Sequence, residues 1–241
     1  MSSRDDRHDH EPGRSRRALR AVRSRMQPGS FPLLLSATVL LYVLNGLAVG
    51  SRWGTILVQV ARIGVLCAGV YVLSAYRLML WLGTIVAVAV FTLEAGLRGL
   101  DPQVSRLLQD ALTTGLLLWV LGAVLREVFR ASTTERDAVT GALCGFLLIL
   151  MAFLRLHGLL QALDPDAYQA GGAALSGHSE AMLVATFQYF STVTLTTVGF
   201  GDIVPVTPLA RVATGVEAIV GQLYLAVVIA TLVGRVVARR D

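Results

Sequence analysis

An all-α integral membrane protein is the fold class that this sequence predicts, and three observations predict it. Of its 241 residues, 54% are hydrophobic and only 15% charged, with a mean hydropathy of +0.64, too apolar for an ordinary soluble domain. Apolar runs recur along the chain at about 20 residues each, the length that crosses roughly 30 Å of hydrocarbon at about 1.5 Å per residue. Before the last of them lies Glu180–Leu195, which is too short to cross and is read as a helix that enters the membrane and returns. Re-entrant backbone is tolerated only where protein or a water-filled cavity surrounds it.

Taken in order, residues 1–30 are polar and Arg-rich, with Pro12, Gly13, Pro28 and Gly29, and read as a disordered basic tail. Ser15-Arg16-Arg17-Ala18-Leu19-Arg20 faintly resembles a twin-arginine export signal, with Ala48-Val49-Gly50 as a matching cleavage site. The apolar run Phe31 to Gly50 is longer than a signal's apolar core of roughly 7–15 residues, which favours a retained first helix. Spans are expected next at Gly54–Ala75, Arg77–Leu97 and Val104–Leu125, giving four transmembrane helices within residues 31–130. Residues 131–241 then form a second unit: a helix over 138–160, the re-entrant helix 180–195, the segment 196–202 and a long helix over 208–237.

The segment Thr196-Thr197-Val198-Gly199-Phe200-Gly201-Asp202 has little use in a packed core. Carbonyls of an ordinary strand alternate sides, so aiming consecutive carbonyls one way demands backbone that L-residues avoid; Gly199 and Gly201 sit where positive φ is needed. Thr197 offers both a hydroxyl and a carbonyl to a dehydrated cation. Thr-Val-Gly-Phe-Gly-Asp resembles the selectivity-filter signature of the potassium channel superfamily, with Phe200 in the place of a common Tyr, and the flanking helices fit that resemblance. It implies K+ sites at Thr197, Val198, Gly199 and Phe200, with Gly201 at the outer mouth and no cofactor beyond the permeant ion. It implies a homotetramer as well, because one loop per chain requires four copies to make a carbonyl ring.

The same resemblance makes Thr196, Asp202, Tyr189, Phe190, Val193 and Glu217 filter supports. Many relatives have two Trp where Tyr189 and Phe190 stand, and some have an acid at Val193, so Asp202 is expected to be held more loosely here. Ser179 is the expected N-cap of the re-entrant helix, and Glu180 suits the positive end of its dipole. Gly221 resembles a gating-hinge glycine, with close helix packing as the competing reading. Ile229, Val233 and Val237, spaced by four, are candidates for an apolar inner gate.

Charge sets orientation and limits gating. All basic side chains are Arg, with eight in the tail, Arg126, Arg130 and Arg136 in one linker, and Arg235, Arg239 and Arg240 at the end. Six crossings place these on one side, which the positive-inside rule makes cytoplasmic in a multi-pass cell membrane protein, near anionic headgroups. A voltage sensor needs several Arg at every third position, and no helix carries that series. Arg106 is expected to pair with Asp110 at i,i+4, and Arg62 with Glu94 as an intramembrane ion pair. Asn45 and Gln59 read as interhelical hydrogen-bond glue. Cys67 and Cys144 read as packing residues, and His157 and His178 as surface residues.

The function implied is passive, weakly voltage-dependent K+ conduction, with no nucleic-acid partner and no small-molecule substrate. Alternatives are a non-selective or sodium-permeable channel and a subunit of a cation transport complex; a coupled transporter predicts repeated units, and the chain holds one. An enzyme is disfavoured because neither a nucleophile motif nor metal-ligand spacing is found.

Overall fold

The structure is a computed structural model, and it describes residues 30–47, 52–72, 81, 85, 88, 101–129 and 135–237. The expected tail, most of the expected helix Arg77–Leu97 with Glu94, and Arg239 and Arg240 lie outside the described residues. The elements are α1 (Ser30–Leu47), α2 (Arg52–Val72), α3 (Pro102–Val128), α4 (Glu135–Leu163), β1 (Tyr168–Ala170), β2 (Ala173–Ala174), α5 (Glu180–Leu195), β3 (Ile203–Pro205) and α6 (Pro208–Val237).

Among the described residues, three helical stretches are long and apolar enough to cross a membrane: Asp110–Val128, Arg136–Leu163 and Pro208–Gly234. The last, at 27 residues, is about 40 Å long. Shorter apolar stretches cover Phe31–Leu47 and Ile56–Gly69. Asp101 caps α3, its carboxylate accepting the Gln103 amide at 2.8 Å, with Pro102 opening the helix where its missing N–H is harmless.

Helix α3 packs along α4, and α1 packs on α2, α4 and α5. Phe31, Leu34 and Leu41 of α1 join Val120, Val124, Cys144, Leu148 and Val228 in one buried cluster. Burial of Cys144 agrees with a packing role, whereas Cys67 is exposed. Gly145 explains how α6 approaches α4: a Cβ there would fall on the Tyr224 hydroxyl, which donates to the Ala142 carbonyl at 2.5 Å. A second cluster of Leu154, Tyr168, Phe187, Phe190 and Ala210 lies behind α5.

The small antiparallel sheet has the order β2-β1-β3, with Gln169 opposite Val204. It ties the loop before α5 to the segment after Asp202. The Gly171 amide adds a bond to the Asp202 carbonyl at 3.1 Å. By contrast, α6 leaves Leu209, Val212, Ile219 and Leu223 about 60% exposed, an apolar surface of the size that partners or lipid cover.

Candidate functional site

Helix α5 begins as expected. Ser179 accepts the Met182 amide at 3.3 Å and Glu180 occupies the first turn. At its other end the chain turns sharply, because the amides that follow fold back onto helix carbonyls. Thr197 N–H donates to Thr194 O at 2.9 Å, and Val198 N–H and Gly199 N–H both donate to Val193 O at 2.8 and 3.1 Å. With donors turned toward α5, backbone acceptors are left for another occupant.

Left-handed backbone occurs at alternate positions: Thr197 at φ 60°, Gly199 at 53° and Gly201 at 77°. The glycines adopt it freely. Thr197 is the sole described non-glycine residue with positive φ, which costs about 1–3 kcal/mol and persists where surroundings enforce it. Gln222 of α6 contributes to those surroundings, donating from Nε2 to the Thr197 hydroxyl at 3.2 Å. Neither Gln222 nor the Thr197 strain was read from the sequence; Gln222 falls one residue after Gly221, and no local pattern marks it.

Thr196 stays with the helix, its hydroxyl donating to Thr192 O at 2.7 Å. Val198, Phe200, Gly201 and Asp202 are exposed in the single chain. The Phe200 ring stacks on Tyr189, 3° from parallel with centroids 6.4 Å apart. Asp202, expected to be held loosely for want of partners at Phe190 and Val193, approaches Tyr189. The proximity of its carboxylate to the Tyr189 hydroxyl, with smaller contributions from burial and charge, raises the phenol above its ordinary pKa. Phe190 and Val193 are buried instead, 4% and 8% exposed.

The largest departure concerns His157. Expected at the surface, it is fully buried, because α4 continues to Leu163 and its last turns face α6 and β1. Its Nε2 lies 2.8 Å from Glu217 Oε2, and its Nδ1 lies 2.6 Å from the Tyr168 hydroxyl. All three side chains are at 0% exposure. Phe187 and Phe190 of α5 pack on the imidazole, centroids 6.1 and 5.1 Å away. Ser191 is close enough to the Glu217 carboxylate to interact with it. Neither Ser191 Oγ nor Glu217 Oε1 has a hydrogen-bond partner, so the contact is one of polar proximity. Burial, then the Glu217 charge, pushes the Tyr168 phenol up. His178 is exposed, as expected.

Gly221 is buried against the end of α5. A Cβ there would fall on the Leu195 carbonyl oxygen and lie 3.0 Å from its carbon, which accounts for the glycine by close packing. Ile229 and Val233 are 59% and 56% exposed; Val237 ends α6, and its side chain lies outside the described residues.

Asp110 also departs from expectation. It pairs with Arg155 of α4 at 3.2 Å, an interhelical contact invisible to i,i+4 spacing; the Arg106 side chain is outside the described residues. Arg62 lines a small cavity with Asn45, Thr113 and Arg155 and lies within electrostatic reach of Asp110. Glu94, its expected partner, is outside the described residues. Among the described residues no group of three or more His, Cys, Asp or Glu is placed to hold a metal ion.

A family model described as an ion channel matches residues 166–238, which run from the loop before β1 through the filter segment to the end of α6. No curated protein and no solved structure matches the chain. The match, which covers less than half of the chain, points to an ion channel, and the long apolar helices agree with a membrane protein.

Proposed function

We propose that the chain is a subunit of a homotetrameric, K+-selective channel that conducts passively and with weak or no voltage dependence. The observation that carries this reading is the backbone of 197–201. Alternate left-handed residues combine with amides bonded back to α5, so carbonyls are the groups presented to the axis, where they replace the hydration shell of a cation. Four copies close the ring, and the exposed apolar face of α6 supplies surface for packing between copies. Helices α1 to α3, with the span expected between α2 and α3, form a four-helix transmembrane unit, and 131–241 is the pore unit. The filter mouth faces outward across the cell membrane and both termini are cytoplasmic, beside anionic lipid.

Conduction here is not enzymatic. The residues contribute fixed dipoles, and the end of α5 adds its partial negative charge toward the cavity below the filter. The test is the reversal potential of purified protein in planar bilayers under a potassium/sodium gradient, stepped over voltage. Reversal near the potassium equilibrium value, with open probability nearly flat in voltage, is expected. Reversal near zero with current still flowing would refute selectivity and point to the sodium-permeable alternative.

A further inference from the structure

A cavity of about 490 Å³ lies away from the filter, where the start of α3, the last turns of α4, the loop before α5 and the first turns of α5 meet. That volume is in the range of small-molecule sites. Its polar lining is lopsided. Several side-chain donors of the lining are engaged within the protein: Gln103 Nε2 with Ala162 O at 3.1 Å, Gln161 Nε2 with Pro165 O at 2.6 Å, and Arg155 Nη1 with Asp110 Oδ1 at 3.2 Å, while Ser176 adds a hydroxyl that can donate or accept. His178 Nδ1 lies 2.9 Å from Leu175 O, and since a carbonyl only accepts, that nitrogen donates.

Buried and charged acceptors stand beside them. Gln161 is 5% exposed and its Oε1 has no donor. Asp101, Asp110 and Glu180 line the same space, where Arg155 is the one cation among the described lining residues, and Glu180 is near enough to Asp110 for their charges to interact. Yet the described acids do not converge as metal ligands would. Leu154, Leu183, Val184 and Phe187 give the same space an apolar lining.

We infer that this cavity binds an organic cation, an amine or guanidinium carried on a partly apolar body. Its N–H groups meet the left-over acceptors, its charge offsets the acidic excess, and its body lies on the leucine and phenylalanine wall. A bare metal ion fits neither the spread of the carboxylates nor the apolar wall. The ammonium comes either from a free amine or from the ethanolamine headgroup of a lipid. Phe187 lines the cavity and also packs on Tyr168 and His157, centroids 5.0 and 6.1 Å away. The occupant therefore sits one side chain from the cluster behind the filter.

The test is calorimetric titration of 2-phenylethylamine into the full-length protein in phosphatidylglycerol nanodiscs, compared with 2-phenylethanol, which has the same body without the charge. The amine is expected to bind saturably, and the alcohol about tenfold or more weakly, since hydrogen bonds to charged groups are the stronger ones. Glu180→Gln should weaken the amine severalfold, and Ser176→Trp, which fills the cavity from an exposed loop position, should abolish binding. Repetition with phosphatidylethanolamine present separates the sources: apparent affinity falls if the headgroup is the native occupant and holds if a free amine is. Equal binding of the alcohol, or amine binding that survives both substitutions, overturns the inference. So does amine binding that K+ displaces equally in the parent and both variants, which would place the amine in the conduction path. Binding heats need no current, so loss of K+ selectivity in the bilayer experiment leaves this test intact.

Discussion

Replacing His157 by Leu should be among the most damaging single changes in the protein. The substitution removes two hydrogen bonds, of 2.8 and 2.6 Å, from side chains at 0% exposure. It leaves Glu217 Oε2 without its donor beside Oε1, which already lacks one. Stranding one member of a buried ionisable pair costs about 3–5 kcal/mol. At about 2–4 °C per kcal/mol for a chain of this size, the thermal midpoint should fall by about 6–20 °C, read by loss of the soluble monodisperse peak on size-exclusion chromatography after heating. Glu217→Leu alone should be comparably harmful. The double variant His157→Leu/Glu217→Leu should recover much of the loss, because replacing both partners by apolar groups is often close to neutral. A single-variant loss under about 1 kcal/mol, or a double variant as unstable as the sum of the singles, would refute the coupled-pair argument.

Two further outcomes follow from the filter surroundings. Gly221→Ala gains about 1 kcal/mol of helix propensity but forces a methyl group onto the Leu195 carbonyl, where overpacking costs about 1–3 kcal/mol. A lower thermal midpoint is expected, and a variant as stable as the parent would contradict the close approach of α6 to α5. Tyr189→Phe tests the filter mouth through pH. The raised phenol pKa means that the folded state holds this proton more tightly than the unfolded chain. Its contribution is then complete below about pH 10, the ordinary tyrosine value, and is lost as pH rises through the raised one. Potassium flux from proteoliposomes should decline through that alkaline step in the parent and show no such step in Tyr189→Phe; identical profiles would remove Tyr189 from the account.

What the sequence disclosed followed locality. Helix α5 was legible to the residue because its cap and first-turn acid are local signals, and α6 because Pro208 opens a long, mostly apolar run. The glycines at 199 and 201 announced left-handed backbone; Thr197, with the same conformation, carries no such mark. The burial of His157 and the interhelical partner of Asp110 were missed for a common reason. His157 meets residues 11 and 60 positions away, and Asp110 one 45 positions away. A histidine near a helix end looks like a surface residue until the helix is seen to continue, and an i,i+4 arginine looks like a partner until a neighbouring helix supplies another.

Those distant contacts share a target. Helix α5 is reached from α1, where the Tyr42 hydroxyl lies 3.0 Å from Thr192 Oγ1 and the Tyr42 carbonyl accepts from Gln188 Nε2 at 2.8 Å. The rings of α5 pack on His157 of α4, which is bound to Glu217 of α6, and its C-terminal end meets Gly221. In an apolar surround every polar contact fixes geometry more firmly than bulk, because an alternative arrangement leaves a donor or acceptor unpaired. A strained residue such as Thr197 holds its conformation only while its neighbours cannot retreat. Anchoring α5 from α1, α4 and α6 supplies that resistance, and it gives the first helix a physical role that requires no voltage-sensing charge: it buttresses the helix from which the left-handed segment 197–201 departs.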